Sequence, residues 1–152
     1  MRDPRDRPLD DASRSASALA VLLLIAGAGT LAYWTAFFTS DLVQATVEPC
    51  YLVFERTFPA ADAWAAVTAI LCALGLLRRR PEAVLFGVAA GSAFTFLGLM
   101  DVLYNLEHGM YAVHTPEMAY ETLINVVCLT LGPATMACVW RWRRRLDPAV
   151  VR

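Results

Sequence analysis

Ala83-Val84-Leu85-Phe86-Gly87-Val88-Ala89-Ala90-Gly91-Ser92-Ala93-Phe94-Thr95-Phe96-Leu97-Gly98-Leu99-Met100-Asp101-Val102-Leu103-Tyr104-Asn105 carries no charged side chain before Asp101. The apolar run, residues 83–106, is about as long as the ~20 residues an α-helix needs to cross a ~30 Å hydrocarbon core. Three segments of the same character lie at residues 16–39, 59–77 and 116–140. The expected fold is therefore all-α, a four-transmembrane-helix bundle running up-down-up-down with both termini cytoplasmic. Helices are expected at about 16–39, 59–77, 82–108 and 116–141, within one membrane domain over residues 15–142. Residues 1–14 read as a disordered cytoplasmic N-terminus and residues 143–152 as a cytoplasmic tail.

Composition points the same way. The 152 residues are 58% hydrophobic, and the mean hydropathy of +0.49 is too high for a soluble domain of this length. A water-soluble chain would have to bury four long helices that are apolar all round, with too little polar sequence to cover them.

Every cation is an arginine; there is no lysine. Arg2, Arg5, Arg7 and Arg14 precede the first segment, Arg78, Arg79 and Arg80 separate the second from the third, and Arg141, Arg143, Arg144, Arg145 and Arg152 follow the fourth. The other two connections hold Arg56 alone. Short arginine-rich loops stay cytoplasmic, which sets the expected orientation. The clusters read as topology signals that also meet anionic headgroups. They are too short to serve as a nucleic-acid surface, so the expected partner is the lipid bilayer, with no nucleic acid. All-arginine usage and abundant alanine associate the chain with a bacterial cytoplasmic membrane.

The first segment is longer than a signal-peptide core and is followed by Tyr33-Trp34-Thr35-Ala36-Phe37-Phe38 instead of small residues, so it reads as a retained helix. Thr115-Pro116-Glu117 and Phe58-Pro59 open helices, the first with a capping hydroxyl and an acid in the first turn. His108-Gly109 closes the third, Arg80-Pro81-Glu82 makes a tight turn, and Gly132-Pro133 should kink the fourth. Ala65, Ala69 and Ala73, and Gly87, Gly91 and Gly98, place small residues where helix backbones can approach.

Cys50, Cys72, Cys128 and Cys138 form no Cys-x-x-Cys pair and read as small apolar residues, not redox groups. The functional lead is a set of polar groups at the outer side: Asp41, Glu48, Glu55, Asp62, Asp101, Asn105, Glu107, His108, His114, Glu117, Glu121 and Asn125. Asp62 lies in a first helical turn, where the helix dipole alone accounts for it. Asp101, Asn105 and His108 share one helix face, and Glu121 and Asn125 repeat the i, i+4 spacing on the next helix. An acid in a membrane helix costs energy and usually faces the bundle interior or a watery cavity. For Asp101 the structural alternative is an interhelical hydrogen bond to Asn125 or Tyr120.

Asp101, His108, His114 and Glu121 are suitable metal-ligand types, but no His-x-x-x-His or Glu-x-x-His spacing occurs, so no metal or other cofactor is expected. No nucleophile stands beside a base, which assigns no catalytic residue and disfavours an enzyme. No acid lies in a cytoplasmic half, which argues against a through-channel. What remains is an outward-open polar pocket with aromatic walls (Tyr33, Trp34, Trp64, Phe94, Tyr104 and Tyr120) suited to a small amphipathic or cationic ligand. The candidate ligand-binding residues are Asp62, Trp64, Asp101, Asn105, Glu121 and Asn125.

The stretches 33–44, 58–64 and 100–107 loosely resemble the emopamil-binding-protein-like (EXPERA) membrane family in architecture. That resemblance implies a sterol-like ligand in an intramembrane cavity, with Asp62, Trp64 and Asp101 as the positions carrying it. Phe58-Pro59-Ala60-Ala61-Asp62-Ala63-Trp64 and Leu99-Met100-Asp101-Val102-Leu103-Tyr104-Asn105 are also similar to uncharacterised four-helix bacterial membrane protein families, which implies no activity. Two functions follow: a ligand-binding membrane protein, or a noncatalytic accessory subunit that binds a membrane partner or a second copy of itself.

Overall fold

The structure, a computed structural model, describes residues 9–40, 43–44, 46 and 48–146. The readings for residues 1–8, for Asp41 and for residues 147–152 lie outside the described residues. Five α-helices and one 3-10 turn follow in order: α1 (Leu9–Thr39), α2 (Pro49–Glu55), α3 (Pro59–Leu77), α4 (Glu82–Glu107), the 3-10 turn (Met110–Ala112) and α5 (Pro116–Leu146). Four spans are long and apolar enough to cross a membrane: Arg14–Thr39, Pro49–Leu77, Glu82–Glu107 and Pro116–Leu146.

The helix ends depart from the sequence reading in three places. α1 begins at Leu9, within the stretch expected to be disordered, and α5 runs on to Leu146 instead of stopping near residue 141. Arginines in a last turn complement the helix dipole, and the extension of α5 carries that pattern in Arg143-Arg144-Arg145. The short α2 was not expected. It and α3 remain two helices because Pro59 has no N–H to give the Glu55 carbonyl, which accepts from the Phe58 N–H instead at 3.0 Å. Pro133 sits inside α5, which continues through it.

Local chemistry accounts for the other boundaries. Thr115 Oγ1 accepts the Met118 N–H at 3.2 Å, capping α5 ahead of Pro116. Gly109, at φ 65°, ends α4 in the left-handed conformation. After α3, Arg79 adopts φ 52°, and the Arg80 N–H reaches back to the Gly75 carbonyl at 2.8 Å while the Arg79 N–H meets that of Leu76 at 3.1 Å. This is a Schellman closure completed by Pro81.

Each long helix packs on the next: α1 on α3, α3 on α4, α4 on α5. Small residues set how close they come. Ala65, Ala69 and Ala73 are all fully buried. A Cβ added at Gly91 would lie 2.6 Å from the Gly132 carbonyl oxygen, so α4 and α5 meet backbone to backbone there. α1 and α5 have no extended packing contact among the described residues. The outer faces stay apolar, with Ile25, Leu85, Leu99 and Leu123 all exposed, as suits helices that have lipid for a neighbour.

Candidate functional site

Between α1 and α5, floored by α3 and α4, lies a cavity of about 310 Å³. That is the small end of the range used by compact organic ligands. α1 contributes Ile25, Ala26, Gly29, Thr30 and Tyr33; α4 contributes Phe94, Leu97 and Asp101. α5 adds Tyr120, Glu121, Leu123, Ile124, Val127 and Cys128, while Glu55, Phe58 and Asp62 come from the α2–α3 corner.

Four carboxylates therefore share one space, and among the described residues no arginine or histidine lines it. They gather at the end of the bundle that carries α2. Glu55 closes α2, Asp62 lies in the first turn of α3, Glu121 early in α5 and Asp101 late in α4. Deeper in, the walls are Ile25, Leu97, Ile124 and Val127. The cavity is thus polar at one pole and apolar at the other.

Three of the acids have donors. The Trp34 indole Nε1 donates to Asp62 Oδ2 at 2.7 Å. Tyr33 Oη donates to Glu55 Oε2 at 3.4 Å. Glu121 accepts from Asn105 Nδ2 at 2.7 Å and from Tyr51 Oη at 3.3 Å. Asp101 has no hydrogen-bond partner among the described residues, so the interhelical bond considered for it is not formed. A carboxylate in an apolar-walled space is costly unless it is protonated or meets a cation. Asp101 is the member of the set with neither oxygen engaged, whereas Asp62 and Glu55 each use one.

The expected site residues separate into three groups. Asp62, Asp101 and Glu121 line the cavity. Asn105 and Asn125 are buried behind it: Asn105 holds Glu121, Asn125 Nδ2 donates to Tyr111 Oη at 3.1 Å, and both side-chain carbonyl oxygens lack partners. Trp64 lies elsewhere. It is 58% exposed on a shallow groove between α3 and α4 with Ala61, Ala89, Ser92, Ala93 and Phe96. Residues two apart on a helix do not share a face, so a wall position for Asp62 turns Trp64 away. His108 is exposed and stacks on Tyr104, ring centroids 4.0 Å apart, and it does not line the cavity. Among the described residues no three His, Cys, Asp or Glu side chains converge closely enough to hold a metal ion.

No protein-family model, curated protein or solved structure matches this chain. With no relative to lend a role, function is read from geometry alone. Sequence reasoning named Glu55 among the outer polar groups but singled out others. Its signal lay in position: one residue before the Arg56-Thr57-Phe58 break, a carboxylate ending a helix turns toward whatever the break lets in. On α1 only the aromatic Tyr33 gave a signal, because the apolar stretch deeper in does not mark which of its faces borders a void.

Proposed function

We propose that this is a multi-pass membrane protein whose cavity binds a small amphipathic cation. The observation that carries the proposal is the Asp101 carboxylate, without a hydrogen-bond partner among the described residues, in a space where those residues supply four acids, no cation and an apolar far pole. An ammonium group offers the donors Asp101 lacks, Tyr33, Phe94 and Tyr120 supply ring faces, and the deep walls take a hydrocarbon body. Arginine distribution supports an orientation with the 78–80 turn and the 141–145 cluster cytoplasmic, an up-down-up-down order of spans and the acidic pole outward. A bacterial cytoplasmic membrane fits the all-arginine composition.

Decylamine and 1-decanol, which share a chain and differ in charge, give the test. Thermal unfolding of the detergent-solubilised protein should shift upward with decylamine, little with decanol, and not at all for Asp101→Asn with either. Equal shifts for amine and alcohol, or an undiminished amine shift in Asp101→Asn, refute the proposal. The groove of Trp64 and Phe96, each 58% exposed beside small residues, supports the second reading, an accessory subunit that docks a partner helix there.

A further inference from the structure

The walls of the cavity are unevenly exposed, and the pattern has a direction. Floor residues Phe94 and Leu97 are 4% and 5% exposed, whereas Ile25 on α1 and Leu123 on α5 are 63% and 57% exposed. The cavity is therefore open along the seam where α1 and α5 fail to pack. At the α2 end the seam is bridged by Tyr33 and Tyr120, stacked with ring centroids 6.4 Å apart and planes 24° apart. Ile25 lies eight residues from Tyr33 and Val127 seven from Tyr120, which sets the open stretch as far as ~10–12 Å deeper along the helices at 1.5 Å per residue. At that depth the surroundings of a membrane-spanning helix are hydrocarbon. Gly29 sits on the same edge, and a Cβ there would meet nothing within 4 Å.

Resting on the ligand-binding reading above, we infer that the cavity fills sideways from the bilayer, through the α1–α5 seam below the Tyr33–Tyr120 bridge, and that its ligand is a membrane-dissolved monoamine. This replaces the outward mouth expected from sequence with a lateral one. The ligand class follows from the route and the walls together. A solute arriving through hydrocarbon must carry a long-chain or polycyclic apolar body. Asp101, with neither oxygen engaged, gives the amino group its place, and a route through hydrocarbon disfavours multiply charged polyamines. The amine ends at Asp101 near the α2 end, and the body lies along Ile25, Leu97, Ile124 and Val127.

Cys128 lines the cavity and Cys50 is exposed, so the chain carries its own reporters. The protein is reconstituted in phosphatidylcholine vesicles and treated at mildly alkaline pH with lipid-soluble N-pyrenylmaleimide or a charged, water-soluble methanethiosulfonate. Peptide mass spectrometry then locates the adducts. The expected result is Cys128 labelling by the maleimide alone, with the charged reagent reaching Cys50 and not Cys128. Gly29→Trp, which places an indole in the open seam, should abolish Cys128 labelling and leave that of Cys50; Gly29→Ala should change neither. Cys128 labelling by the charged reagent overturns the lateral route, as does failure of both reagents in the folded protein when SDS restores reaction. A Gly29→Trp protein that keeps its labelling but changes oligomeric state also overturns it, making the seam an interface between copies. No amine is needed for this labelling. Loss of the decylamine shift with the labelling pattern intact removes the ligand reading alone, and the reverse removes the route alone.

Discussion

The backbone contact between α4 and α5 sets a sharp requirement on two glycines. A Cβ at Gly132 would fall 2.5 Å from Thr95 Oγ1 and 2.8 Å from the Gly91 carbonyl oxygen, and one at Gly91 would fall 2.6 Å from both the Gly132 carbonyl oxygen and Met136 Cγ. Thr95 cannot easily yield, because its hydroxyl donates to the Gly91 carbonyl at 2.7 Å. Ordinary heavy-atom contacts lie near ~3.5–4 Å, so either alanine parts the helices by roughly 1 Å, and a gap of that size forfeits about a quarter to a half of the dispersion well at each contact. Overpacking of this kind costs about 1–3 kcal/mol. Replacing a helical glycine by alanine returns about 0.5–1 kcal/mol, and about 1–2 kcal/mol of net destabilisation remains. For a chain of this length that is a fall in Tm of ~2–8 °C, at ~2–4 °C per kcal/mol. Gly29→Ala supplies the control: with nothing within 4 Å of its Cβ it has only the helix-propensity gain, and its Tm should hold or rise. Far-UV circular dichroism melts in one detergent compare the three variants with wild type. A Gly91→Ala or Gly132→Ala protein that melts at or above wild type, or a Gly29→Ala protein that falls as far as they do, would refute the close-approach argument.

Two further predictions use the site. Trp34→Phe removes the donor to the half-buried Asp62 carboxylate, a loss of about 0.5–1.5 kcal/mol in melts, whereas Trp34→Phe with Asp62→Ala should lose less than the sum of the single changes; additive losses would mean the 2.7 Å bond contributes nothing. Trp64→Ala should leave the decylamine shift unchanged, since Trp64 lies on the α3–α4 groove away from the cavity, and a lost shift would place the ligand there instead.

Much of the architecture was legible because membrane helices are read from length and apolarity, which the 83–106 run displays in full. The packing seams were legible too: Gly87, Gly91 and Gly98 stand where Val139, Gly132 with Met136, and Cys128 with Leu129 approach α4. The meeting of the two polar stripes was legible as i, i+4 spacing on adjacent helices, and one contact realises it, Asn105 to Glu121. What stayed hidden was angular. Periodicity marks a face only when polar and apolar residues alternate around the helix, and α1 offers only Thr30 and Tyr33 in its cavity-lining stretch, so the positions of Ile25 and Gly29 were invisible. Trp64 was grouped with Asp62 by nearness along the chain, although two residues turn a helix by roughly 200°. Glu55 belongs to a helix of seven residues, too short for any periodic signal.

The unpacked α1–α5 seam also bears on how the chain assembles. Every long helix finds its packing partner in the next one along the sequence, so no interface waits for the last helix to return to the first. Contacts of that kind are short-range in the chain, the arrangement that folds fastest and least often astray. A bundle closed into a ring would need α5 to seal against α1 before the structure was complete. Here α1 and α5 meet at the Tyr33–Tyr120 stack without an extended seam, while Gly91 and Gly132 hold α5 on α4.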